Sequence, residues 1–115
     1  MTDDATVVVV PNPEAHRFEI HVGGEHAGHL EYARKGELVI FTHTEIDPAY
    51  GGRGLGSILA RGALDAVRAA GDPMVPLCPF IEGYVEKHPE YEDLVDHECL
   101  AYLEQRRRAP RAHAD

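Results

Sequence analysis

At 115 residues with 43% hydrophobic side chains, the chain has the length of one domain and can close a modest core without disulfide or metal staples. Its 20 acidic against 11 basic residues leave a formal charge of −9, which repels phosphate backbones and argues against nucleic acid as a partner. Cys78 and Cys99 form no CxxC pair, no apolar run reaches the length of a membrane span, and the acidic start Met1-Thr2-Asp3-Asp4 lacks the basic flank of a signal segment. The expectation is a cytoplasmic protein, monomeric or weakly dimeric, with no membrane partner.

The first half reads as strands. Thr6 to Val10 is β-branched, and Pro11-Asn12-Pro13 is expected to end it. Arg17 to Val22 alternates, with Phe18, Ile20 and Val22 on one face. Gly23-Gly24 signals a hairpin into a strand over His26 to Ala33, and Lys35-Gly36 a second turn into Glu37 to Ile46. Strict alternation along this last strand puts Val39, Phe41 and His43 on one side.

The period then becomes helical: Leu55, Ile58, Leu59, Ala63, Ala66 and Val67 recur at the spacing of an apolar stripe, and Gly71 with Pro73 stops it. Met74 to Cys78 is a short strand, parallel to its predecessor because a helix intervenes. Pro79 opens a second helix to about Lys87, and His88-Pro89 breaks it. Glu92 to Arg108 reads as a further helix, with Leu94, Val95, Leu100 and Leu103 as core candidates. The expected fold is mixed α+β: an antiparallel meander, a β-α-β crossover and C-terminal helices. It forms a single domain over 1–115, with its core in 5–95, a helix at 96–108 and a flexible tail at 109–115.

The turn Gly51-Gly52-Arg53-Gly54-Leu55-Gly56 sits where a strand gives way to a helix, and Ser57 follows it. Gly52, Arg53 and Gly54 offer no side-chain oxygen to cap the free amides of the helix. This acid-rich chain carries no Asp or Glu between Asp47 and Asp65, where acids would ordinarily complement the helix dipole. An external anion such as a pyrophosphate would satisfy both features. The alternative is a plain entry turn using glycine for backbone room. The spacing fits neither the dinucleotide fingerprint nor a Walker loop.

Taken together, His43-Thr44-Glu45-Ile46, Pro48, Gly52-Arg53-Gly54-Leu55-Gly56, Pro76-Leu77-Cys78-Pro79-Phe80, Tyr84 and His88-Pro89-Glu90-Tyr91 resemble a small, stand-alone branch of the GNAT superfamily of N-acetyltransferases, over roughly Phe18 to Val95. The resemblance implies an acyltransferase that uses acetyl-coenzyme A and an amine acceptor, small molecule or protein. It places the coenzyme A pyrophosphate on the amides of Gly52 to Gly56 and Ser57, and pantetheine along Glu45 and Ile46, with Phe80 and Tyr84 beside the cofactor. The superfamily usually begins the glycine motif with Arg or Gln, where this chain has Gly51. It also has two helices after its first strand, where this chain has only Pro11 to His16, so the acceptor side is expected to be open.

Four residues are candidates for the chemistry. Cys78 precedes a helix N-terminus, a setting that favours thiolates, so it is a candidate acyl carrier; it is equally readable as a small buried strand residue. Tyr84 resembles the superfamily tyrosine that protonates the departing thiolate, and a phenol titrating near about 10 is a workable acid; a core-facing aromatic is the alternative. His43 and Glu45 share a strand face and could each take a proton from an acceptor ammonium, or be ordinary solvated side chains. His26 and His29 are expected on opposite strand faces, and His97-x-Cys99 lacks companions, so no metal is expected. A coenzyme A-binding protein without catalysis is the competing functional reading.

Overall fold

The computed structural model describes residues 6–108, so the tail expected at 109–115 lies outside the described residues. One sheet carries five strands in sequence order: β1 (Val7–Asn12), β2 (Arg17–Val22), β3 (Glu25–Lys35), β4 (Leu38–Ile46) and β5 (Met74–Pro76). The first four pair antiparallel and β5 pairs parallel to β4, reached through helix α1 (Leu55–Ala70). Helix α2 (Pro79–Lys87), a 3-10 turn over Pro89–Leu94 and helix α3 (His97–Arg108) follow. The architecture is the α+β one expected: strands first, then the crossover and the helices.

Local chemistry accounts for most of this. Gly23 and Gly24 both take positive φ (58° and 87°), which a two-residue hairpin with the right twist requires. Phe18, Ile20 and Val22 are buried beneath α1, whose Leu55, Leu59, Ala60, Ala63, Leu64 and Val67 face them. Gly71 ends α1 in the left-handed region, its N–H donating to Arg68 O and that of Asp72 to Val67 O. Ile58 and Ala66, expected on the apolar stripe, are instead exposed, because they lie on the flank of a stripe centred on Leu59 and Ala63.

The strands depart from the expectation in three places. β1 continues through Pro11 to Asn12. Gly23 N–H donates to Thr6 O (2.8 Å), so the even-numbered residues of β1 bond to β2 and the missing N–H of Pro11 falls on the open edge, where it costs no ladder bond. In β3, Ile20 pairs with Gly28 but His21 with His26, which leaves Ala27 as a bulge. That extra residue brings His26 and His29, expected on opposite faces, to the same face with ring centroids 5.6 Å apart. In β4, Tyr32 pairs with Phe41 but Glu31 with His43, so Thr42 is a second bulge. Val39 and Phe41 point into the core, Thr44 does so after the bulge, and His43 turns to the outer face.

The C-terminal helix is shorter than expected. Pro89 and the residues after it adopt 3-10 geometry, Val95 forms a single parallel bridge with Met74, and Asp96 N–H donates to Met74 O (2.9 Å) before α3 begins. Leu94 and Val95 pack against the core, but Leu100 and Leu103 are only half-buried and stand outside it.

Candidate functional site

The glycine turn is built from β4 outward. Asp47 caps a 3-10 turn over Pro48–Tyr50, accepting from Ala49 N–H (2.9 Å), and Gly51 N–H donates to Pro48 O (3.1 Å). The Gly51 amide is therefore already committed. Gly52 and Gly54 follow at φ 80° and 72°, a conformation that turns successive amides outward and that side chains resist. Gly54 is the N-cap of α1 and no side chain caps the helix; the first helical acceptor, Gly54 O, serves Ile58 N–H at 3.3 Å. Among the described residues, nothing occupies the amides from Gly52 to Ser57, and no acid stands in the first turn. Arg53 is held over the Tyr50 ring (5.4 Å), and the Tyr50 hydroxyl donates to Glu25 Oε1 (2.9 Å), which ties the turn to β3 and pushes the Tyr50 phenol upward.

The β4–β5 junction supplies the second part. β5 pairs only with Val39 to Phe41, so beyond the bulge the two elements part. Phe41 O accepts from Cys78 N–H (2.9 Å), and Cys78 becomes the N-cap of α2. Cys78 is 3% exposed, and its Sγ lies 3.1 Å from Thr44 Oγ1. The bulge at Thr42 is what lets Thr44 reach it.

Between the start of α1 and α2 lies a groove of about 190 Å³ lined by Ser57, Pro79, Phe80, Gly83, Tyr84, Lys87 and His88. Phe80 rests on Gly56, where a Cβ would stand only 2.9 Å from the ring. Tyr84 is buried, stacks on His88 (centroids 4.1 Å, planes 24° apart) and has its phenol pushed up by desolvation. It therefore keeps its proton well into the alkaline range. Its neighbour Tyr91, buried and donating to Asp65 Oδ1 (2.6 Å), is pushed up to about 12.

His43 and Glu45 stand apart from that groove. They are 3.3 Å from each other, exposed, and on the sheet face away from α1 and Cys78. Glu45 also lines a shallow concavity of about 200 Å³ with His26, His29, Asp47 and Pro48. Among the described residues, no three His, Cys, Asp or Glu side chains gather as metal ligands.

The fold thus brings Gly56 and Ser57, at the end of the glycine turn, together with Phe80 and Tyr84 on one side of β4, puts Cys78 at the head of α2 against Thr44, and leaves Ile46 partly buried at the strand's end beside the core. His43 and Glu45 occupy the opposite side. Sequence reasoning did not single out Thr44, Tyr50 or Lys87. Thr44 was hidden by the bulge, Tyr50 acts through a residue of another strand, and Lys87 joins Ser57 only once α2 packs beside α1. Among the described residues, no helix is long and apolar enough to cross a membrane. No curated protein matches this sequence. A family model described as GCN5-related N-acetyl-transferase matches residues 17–94. That match runs from β2 to the end of the 3-10 turn and takes in the glycine turn, the β4–β5 junction and α2. Covering well over half of the 115 residues, it shows that the chain belongs to the GCN5-related N-acetyltransferase family.

Proposed function

We propose that the protein transfers acetyl from acetyl-coenzyme A to a primary amine. The observation that carries this reading is the uncapped, acid-free start of α1, whose amides and dipole suit a diphosphate. Gly52 to Ser57 would hold the pyrophosphate, with Arg53 above them. The backbone of Ile46, unpaired on the β5 side, would bond to pantetheine amides as a strand does, whereas that of Glu45, expected to share this role, is turned to His29 of β3. Phe80 and Tyr84 would line the arm, and Lys87 would meet the remaining phosphate charge.

The acceptor would enter from the outer face, which lacks covering helices because the β1–β2 connection is a single 3-10 turn over Pro13–Ala15. His43 or Glu45, directly or through a water, would take the ammonium proton. The free amine would then attack the acetyl carbon, the carbon–sulfur bond would break as Tyr84 protonates the leaving thiolate, and the proton shed by the acylated nitrogen would return to the Tyr84 phenolate through water. In a two-step variant, Cys78 Sγ would first take the acetyl group as a thioester and the amine would then release it.

A melting-temperature titration with coenzyme A and acetyl-coenzyme A tests the reading. At about 100 times its dissociation constant the ligand should stabilise the fold by ~2.7 kcal/mol. Intact-protein mass spectrometry after brief mixing separates the routes: an added acetyl group lost in Cys78→Ala supports the thioester. No stabilisation by either ligand would end the proposal.

A further inference from the structure

Of the five exposed large apolar side chains among the described residues, Phe80 lies in the α1–α2 groove and Tyr102 on α3, while Val7 (37% exposed), Val8 (45%) and Ile58 (42%) fall at one edge of the molecule. Gly62 of α1 sits on Val9, where a Cβ would lie 2.9 Å from the valine side chain. Helix α1 runs antiparallel to β4 and therefore in the same sense as β1. One turn back from Gly62 along the helix and two residues back from Val9 along the strand both cover about 6 Å, which sets Ile58 level with Val7.

The backbone at this edge is also open. The even-numbered residues of β1 bond to β2, as the Gly23 N–H to Thr6 O bond establishes, so Val7 and Val9 turn their N–H and C=O groups outward. Among the described residues, nothing bonds to them. Strand edges of this kind are ordinarily blunted by a charge, and β1 carries none in a chain of net charge −9.

We propose that β1 is a homodimer interface in which two copies pair antiparallel about a two-fold axis at Val8, joining their sheets into one of ten strands. In this register Val7 faces the partner's Val9 and Val9 faces the partner's Val7. Both pairs are of the bonded type, so the four outward N–H and C=O groups of each copy are satisfied. Pro11, with no N–H to offer, lies beyond the paired stretch. Val8 meets the partner's Val8 on the outer face, while Val7, Val9 and Ile58 of both copies close over the helix side. The uncharged strand lets two acidic molecules meet without opposing carboxylates. A second copy is favoured over a foreign peptide because donors, acceptors and apolar side chains are all self-complementary. This proposal is independent of the acyl-transfer reading.

Sedimentation and light scattering of the full chain from about 5 to about 500 µM span the range in which so small an interface titrates. The wild type should rise from 12.7 kDa to twice that mass and no further. Val8→Lys sets two ammonium groups against each other at the axis and Ile58→Glu removes the apolar flank. Each should weaken the dimer by at least about tenfold while leaving the melting temperature of the dilute chain unchanged. In hydrogen exchange, the Val7 and Val9 amides should gain protection with concentration, whereas that of Val8, bonded within the chain, should not. A chain that keeps its single mass throughout, a dimer that withstands both substitutions, or growth beyond two copies would overturn the proposal.

Discussion

Thr44 Oγ1 and Cys78 Sγ lie 3.1 Å apart, joining β4 beyond its bulge to the N-cap of α2. Either atom can donate, so the pair can hold a thiol proton or support a thiolate. If Cys78 carries the acetyl group, Thr44→Val should lower kcat about tenfold, the value of one hydrogen bond lost at the reacting atom. The melting shift given by coenzyme A should stay as in the wild type. An unchanged kcat in this variant would make the pair purely a packing contact.

Gly54 at φ 72° has open space where a Cβ would stand, so the obstacle to substitution there is backbone conformation and charge, not crowding. Gly54→Ala should cost about 1–2 kcal/mol of stability and keep most coenzyme A affinity. Gly54→Asp carries a carboxylate into the amides that would hold the diphosphate, and its dissociation constant should rise at least about tenfold beyond that of the alanine variant. Calorimetric titration of both variants distinguishes strain from charge.

The buried phenol of Tyr84 keeps its proton above the ordinary tyrosine range. As the acid for thiolate departure it should sustain kcat to high pH. Tyr84→Phe should lose about 10² to 10⁴ in kcat with little change in cofactor binding. A loss of stability without a selective loss of kcat would instead assign Tyr84 to the stack with His88.

Glu19 on the outer face accepts from Asn12 Nδ2 and Arg17 Nε and pairs with His21, each at 2.9 Å. The Asn12 bond leads in holding its carboxyl down from 4.5 to about 2. A depressed carboxyl stabilises the fold above its unfolded value and loses that contribution as pH falls through the folded one. The stability gap between wild type and Glu19→Gln should therefore be full above pH 4.5 and shrink toward pH 2, as followed by thermal denaturation. A gap that does not vary with pH would mean the carboxylate's charge contributes nothing.

What could be read from the residues alone was whatever a short stretch of chain decides for itself. The alternation of Phe18, Ile20 and Val22, the paired glycines at 23–24, the stop at Gly71 and the uncapped, acid-free opening of α1 are local rules, and all hold in the fold. The motif order from His43 to Tyr91 likewise pointed to the family. Tertiary structure decided which side of the sheet each candidate occupies. Ala27 and Thr42 are bulges because neighbouring strands cannot otherwise stay in register, and one unpaired residue reverses every side chain after it. That reversal separated His43 and Glu45 from Cys78, brought His26 beside His29, and set Thr44 on the sulfur. The same dependence on a neighbour explains Arg53, which lies over Tyr50, itself bonded to Glu25. It also explains the break before α3, where Asp96 gives its N–H to Met74 instead of continuing a helix.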